Sequence, residues 1–311
     1  MRRNPVSYDN WFAGESESGE AAEKFHTKQT LIQDPGSHGV AEQQRLYSLT
    51  MQAIIIGAGR GSRLKALTDD APKPYAPIGS RRILDWLLSS LRDAGIDKIV
   101  FVGGYRYDLV RADYPDLEFR HNPDWAQTNI LASLMCAEDC MDEGFICTYA
   151  DILYRPNVVR RAVDHAADAV VCVDTQWRTR YADRSQHPED DAEKVIAQGD
   201  QILRINRTIE SQEADGEYIG VARFNAAGAS VLRATYHELK DRLGDAVWKA
   251  ETPFPRAYLI HLFEELLDRG HPLHMVTTDG EYMEVDTEED FRLANEHWPS
   301  LYGMPTETER H

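Results

Sequence analysis

The sequence predicts an α/β protein: a Rossmann-like, mostly parallel mixed sheet flanked by helices, with a small inserted β-hairpin or lid region. Three observations predict it. From residue 51 onward, short apolar runs of strand length alternate with segments of helical spacing, the pattern of parallel strands joined by crossover helices. A glycine-rich turn directly follows the first run. Past Asp174 the alternation gives way to polar chain and then to two runs split by Gln198-Gly199-Asp200, which read as a hairpin.

The elements follow in order. Ala53–Ile56 is a buried strand. Ile83–Leu91 has helical spacing and ends near Ala94-Gly95, where glycine suits a helix C-terminus, and it leads into strand Lys98–Val102. Leu117–Arg120 is a strand, a helix starts near Thr128-Asn129, and Phe145–Tyr149 is a strand. Val158–Ala166 is a helix and Asp168–Val173 a strand. Trp177–Asp191 shows no clear period. Lys194–Ala197 and Gln201–Ile205 form the hairpin, and Tyr218–Phe224 is another strand. Helices around Ala226–Leu243 and Arg256–Arg269, strand Tyr282–Val285 and helix Glu288–His297 close the domain. Residues 1–50 carry scattered Gly, Ser, Glu and Gln with at most one short helix, Val40–Leu49, and read as an extension. The domain is expected over 51–300, with the lid about 175–225 and a tail at 301–311.

Composition narrows the function classes. The 34 Lys and Arg face 52 Asp and Glu, a net charge of −18, and such a surface repels nucleic acid. No run approaches the roughly 18–20 apolar residues of a membrane span, and the N-terminus does not read as a signal peptide, so a soluble cytoplasmic protein is expected. Cys136, Cys140, Cys147 and Cys172 show no CxxC pairs and read as buried reduced thiols. Oligomeric state is not legible.

Four motifs carry chemistry. Gly57-Ala58-Gly59-Arg60-Gly61-Ser62-Arg63-Leu64 follows the first strand, so its backbone can approach an anion closely and aim several N–H groups at it. No GK[ST] follows, and the third glycine falls one position early for the dinucleotide fingerprint. In Pro72-Lys73-Pro74 the prolines fix where the ammonium emerges, placing a cation for a transferring phosphoryl group. Asp151 and Asp286 each end a strand; together they could supply the two carboxylates that Mg2+ takes, although each could instead cap a helix. Asn129, at a helix start, could donate to a base or to the substrate. Trp177, Arg178, Arg180, Tyr181 and Arg184 combine aromatic faces and cations suited to an anionic acceptor, with a solvated loop as the alternative. Asp191 and Glu193 precede the hairpin, and Glu217, Tyr218 and Gly220 open a strand where Gly220 would allow close ligand approach.

The glycine motif followed by Pro72-Lys73-Pro74 resembles the signature of the sugar-phosphate nucleotidyltransferase superfamily. Within it, Thr128-Asn129-Ile130, Tyr149-Ala150-Asp151-Ile152, Asp191-Ala192-Glu193, Tyr218-Ile219-Gly220 and Glu284-Val285-Asp286 look most like the small cytidylyltransferases acting on phosphocholine, phosphonates or phosphoglutamine. The resemblance covers about Met51–Asn295. It implies CMP transfer from CTP to a small phosphorylated or phosphonate acceptor, with Mg2+ and release of pyrophosphate. It implies that N–H groups from Ala58 to Ser62 hold the triphosphate and face the base, that Arg63 and Lys73 stabilise charge at the α-phosphate, and that Asp151 and Asp286 hold the metal. The chain departs from the family where Ala-Ala-Gly is frequent and Gly57-Ala58-Gly59 stands instead, which bears on base identity. A sugar-1-phosphate nucleotidyltransferase using UTP, dTTP or GTP is the first alternative. A non-catalytic nucleotide-binding regulatory domain is the second.

Overall fold

The computed structural model describes residues 51–302 except 62, 65–67, 183, 187 and 279. The expected extension 1–50 with its short helix, Ser62 of the glycine motif, and residues 303–311 of the tail lie outside the described residues.

The strands are β1 Gln52–Gly57, β2 Pro77–Ile78, β3 Arg81–Arg82, β4 Lys98–Gly103, β5 Glu118–His121, β6 Phe145–Tyr149, β7 Ile152–Tyr154, β8 Ala169–Asp174, β9 Lys194–Gln198, β10 Gln201–Asn206, β11 Gly216–Phe224, β12 His274–Thr277 and β13 Tyr282–Glu284. The α-helices are α1 Ile83–Asp93, α2 Tyr107–Asp113, α3 Ile130–Met135, α4 Pro156–Asp164, α5 Trp177–Ala182, α6 Ala226–Leu243, α7 Leu259–Asp268 and α8 Glu288–Leu301.

Nine strands form one mixed sheet in the order β5-β4-β1-β6-β11-β8-β12-β10-β9. The β5-β4-β1-β6 half is parallel, and so is the β8–β12 pair. Strand β11 runs antiparallel between the two. Alternation along β1 sends Ala53 and Ile55 to one core, with α1, α4 and α8, and Ile54 and Ile56 to the other, with α3, α6 and α7. Each core is therefore closed by helices, as a buried parallel sheet requires.

One expectation is refined. The inserted β9–β10 hairpin joins the main sheet: Gly216 and Glu217 of β11 pair with β9, and Gln201 pairs with His274 of β12. Among the described residues strand β13 pairs with β7, antiparallel, Ile152 opposite Glu284, outside the main sheet. The missed helix α5 is short, and its inward face is two aromatics, Trp177 and Tyr181, too few residues to show a period. Cys140, Cys147 and Cys172 are buried, and burial pushes the Cys147 thiol up to about 12.

Candidate active site

The site grows from the carboxyl ends of β1 and β6, the edge where open α/β sheets bind ligands. After β1 the chain turns through Ala58 and Gly59 to Gly61, whose φ of +71° lies in the left-handed region. A side chain there would also stand 2.7 Å from the Lys73 stem, so glycine lets the lysine pass under the loop. Gly57 is required by packing, since a Cβ would meet the Phe101 ring at 2.5 Å. Gly59 has neither constraint: a Cβ there would meet nothing within 4 Å. Its bare backbone faces the cavity, the arrangement a closely approaching ligand uses.

Lys73 opens a single 3-10 turn, Lys73–Tyr75, behind the extended Pro72 and with Pro74 next in the chain. Its side chain is buried and runs to two carboxylates. The ammonium donates to Asp151 Oδ2 at 2.7 Å and also to Asp286 Oδ1. Two turns and one ribbon bring these acids together. Asp151 lies between β6 and β7, and the β7–β13 register continues with Val285 N–H donating to the Asp151 carbonyl at 3.0 Å. Asp286 then falls beside Asp151. The capping alternative for Asp286 does not hold, because Thr287 is the N-cap of α8 and shares a capping box with Asp290.

Arg63 pairs with Asp286 and, at 3.4 Å, with Asp191, and is half exposed. Burial opposes the charge on Lys73, but Asp151, Asp286 and Glu284 outweigh it and hold its pKa above the ordinary lysine value. Burial likewise opposes the Arg63 charge, and Asp286, Glu284 and Asp191 raise it overall. Glu284 is thus a third acid in the cluster. Among the described residues nothing is bonded to the second carboxylate oxygen of Asp151, which lines the cavity. Two hard carboxylates with one oxygen open to the cavity fit a divalent cation bound alongside phosphate oxygens.

The cavity is lined by Gly57, Ala58, Gly59 and Gly61, by Lys73 and Asp151, and on its far wall by Trp125, Thr128, Asn129, Ser133 and Tyr149. Asn129 caps α3, its side-chain oxygen accepting from Ile130 N–H at 2.9 Å while its amide reaches the Arg256 carbonyl at 3.3 Å. Asn122 holds the wall from behind, donating to the hydroxyls of Thr128 at 3.0 Å and Ser133 at 2.9 Å. Arg60 turns away from the cavity and pairs with Asp69 at 2.9 Å over the Tyr105 ring.

The residues expected at the acceptor do not line this cavity. Trp177 is 1% exposed and packs with Tyr181, Ala192, Ile209 and Ala214 as a satellite core. Arg180 is neutralised internally by Asp174 and, at 2.7 Å, by Glu217, which also accepts from Tyr181 at 2.7 Å. Tyr218 is buried edge-to-face against Tyr149 and Phe263. Gly220, with φ of +83° at a bulge in β11, makes room for the Tyr149 ring, which would lie 2.5 Å from a Cβ. These five form packed support behind the site, because apolar contact and internal ion pairing, invisible in composition, claim them.

What the sequence did not single out is the network between them and the cavity. Tyr149 donates to Glu193 at 3.2 Å, Arg207 donates to the other Glu193 oxygen at 3.0 Å, and Arg207 stacks over Tyr258 at 4.1 Å. Burial raises the Glu193 pKa and Arg207 opposes that rise. The sequence signals were Tyr149 and Glu193, each inside a short motif quoted above, with nothing to join them to Arg207.

Comparison with known proteins agrees with this geometry. The family described as MobA-like NTP transferase domain matches residues 53–278. The CTP:phosphoglutamine cytidylyltransferase of Campylobacter jejuni is 29% identical over 79% of this chain and 100% of its own length. The UTP–glucose-1-phosphate uridylyltransferase of Haloferax volcanii is 33% identical over 40% of this chain and 54% of its own. Among solved structures, the inositol-1-phosphate CTP transferase from T. maritima superposes with a TM-score of 0.62 at 19% identity, over 83% of this chain and 99% of that one, a likeness of fold.

Proposed function

Because the chain belongs to the MobA-like NTP transferase domain family, we propose that this cavity transfers CMP from CTP to a small phosphorylated or phosphonate acceptor, releasing pyrophosphate. One observation carries the reading: an ammonium held between two aspartates on the floor of a glycine-lined cavity. The N–H groups around Gly59 hold the triphosphate. An acceptor oxygen, already anionic near neutral pH, attacks the α-phosphorus in line. The new P–O bond forms as the bond to the β-phosphate oxygen breaks, and pyrophosphate leaves with its electron pair. No strong general base is needed. Lys73 and Arg63 stabilise the charge that builds on the α-phosphate oxygens. Asp151 and Asp286 would hold Mg2+, which supplies further neutralisation of those oxygens and orients both reactants.

The C. jejuni relative's phosphoglutamine supports an acceptor carrying charge beyond its phosphate. The H. volcanii relative supports a second reading, uridylyl transfer to a sugar 1-phosphate. A pyrophosphate-release assay with CTP, UTP, dTTP and GTP, each against phosphoglutamine, aminoethylphosphonate, hydroxyethylphosphonate, phosphocholine and sugar 1-phosphates, separates the two. Release with CTP and a non-sugar acceptor is expected. Release confined to another nucleotide with a sugar phosphate replaces the first reading by the second, and CTP binding without turnover on any acceptor refutes both.

A further inference from the structure

We propose that His165, Asp200 and His274 form a second cation site, for a borderline transition metal such as Zn2+, at the end of the sheet away from the glycine loop. The three come from separate segments: the end of α4, the β9–β10 turn and the first residue of β12. Strands β8 and β12 are parallel to each other and antiparallel to β11, as is β6, which is parallel to β1, so β12 begins at the edge opposite to the one where β1 ends in glycine. Two imidazoles and one carboxylate are the nitrogen and oxygen donors that Zn2+ accepts, unlike the all-carboxylate set at Asp151 and Asp286.

The spacing fits. Asp200 Oδ2 lies 3.1 Å from His165 Nε2 and 3.3 Å from His274 Nδ1, and the three donor atoms lie within 4.8 Å of one another. Donors about 2.0–2.1 Å from a tetrahedral Zn2+ stand roughly 3.3 Å apart. The backbone under the donors is fixed independently. Buried Arg223 donates to the carbonyls of Ala162 at 2.9 Å, Ala167 at 2.6 Å and also His165. Met275 N–H donates to the Asp200 carbonyl at 2.7 Å. Asp200 is exposed, so water can fill the fourth position. Ala167 N–H donates to His165 Nδ1 at 3.2 Å, so in the neutral ring the proton sits on Nε2. Loading moves that proton to Nδ1 and the Ala167 bond gives way, which keeps affinity moderate, and competition by protons for the imidazoles makes it fall with acidity. A bound ion would clasp the hairpin turn, which meets the start of β12 through the Gln201–His274 pair and the Met275 bond to Asp200, onto the body of the sheet.

The test uses the full chain, stripped with chelator and titrated with Zn2+ by calorimetry, with Co2+ absorption as a report of tetrahedral coordination. One saturable Zn2+ is expected that persists in Asp151→Asn and raises the melting temperature. In His274→Gln and Asp200→Asn the affinity should fall by more than the roughly 10–100-fold that loss of an outer-shell partner costs, with unchanged circular dichroism and unchanged nucleotide binding. Absence of saturable Zn2+ binding in the wild type, or unchanged binding in a His165→Gln/His274→Gln double variant, overturns the proposal and leaves a hydrogen-bonded triad.

Discussion

Two clusters of paired charge, one around Lys73 and one around Arg180, have similar members and different surroundings. Around Lys73 two aspartates share one ammonium, Arg63 completes the set, and one carboxylate oxygen opens on a cavity. Around Arg180 two carboxylates share one guanidinium, Tyr181 completes the set, and the Arg180 side chain stacks over the Tyr282 ring at 4.7 Å. The inventories are nearly the same. What differs is where the acids point: toward a space a ligand can enter, or into a sealed wall. The proposed roles therefore rest on which cluster borders the cavity rather than on charge content.

The largest expected difference lies in Lys73→Met. Removing one preorganised cation from a transition state costs about 10^2–10^3-fold in turnover. Pyrophosphate release should drop by that much, while melting in saturating Mg2+ stays close to wild type if, as proposed, a cation held by Asp151 and Asp286 offsets their repulsion. Near-normal turnover would place Lys73 with the scaffold and erase the contrast.

Arg180→Met should show the reverse. It leaves Asp174 and Glu217 buried beneath the satellite core without their cation, and breaking such a pair costs about 3–5 kcal/mol. Chemical denaturation should register the loss, while KM for nucleotide and acceptor in the folded fraction stays unchanged. A selective rise in the acceptor KM at unchanged stability would return Arg180 to the acceptor site.

The contrast also explains how much of the site was legible. The glycine motif, Lys73, Asp151 and Asp286 were readable because each is fixed by its immediate neighbours: a strand end, a pair of prolines, a strand-to-turn junction. The alternating sheet was readable for the same reason, through the period of residues such as Ala53 to Ile56. Trp177, Arg180, Glu217, Tyr218 and Gly220 fall outside the cavity lining, because what they touch depends on how α5 and the fully buried β11 pack. That is settled by partners far along the chain, such as Asp174 for Arg180 and Tyr149 for Gly220. The Tyr149–Glu193–Arg207 chain was missed for the same reason: its members come from three elements with no shared motif.

A smaller effect comes from a buried group outside both clusters. His261 lies on α7, buried, and accepts from Tyr258 N–H at 3.4 Å. Burial, then the nearby charges of Arg207 and Lys249, lower its pKa to about 4 from an ordinary 6.5. The folded protein therefore stays unprotonated where the unfolded chain takes up a proton. The stability this ring allows is fully present above about pH 6.5 and is lost progressively as pH falls toward 4, by at most about 3 kcal/mol. Denaturant midpoints measured across that range should decline in the wild type and decline less in His261→Gln, which cannot gain the charge. Equal slopes in the wild type and His261→Gln would mean that other groups take up the acid and that burial of this ring does not carry the decline.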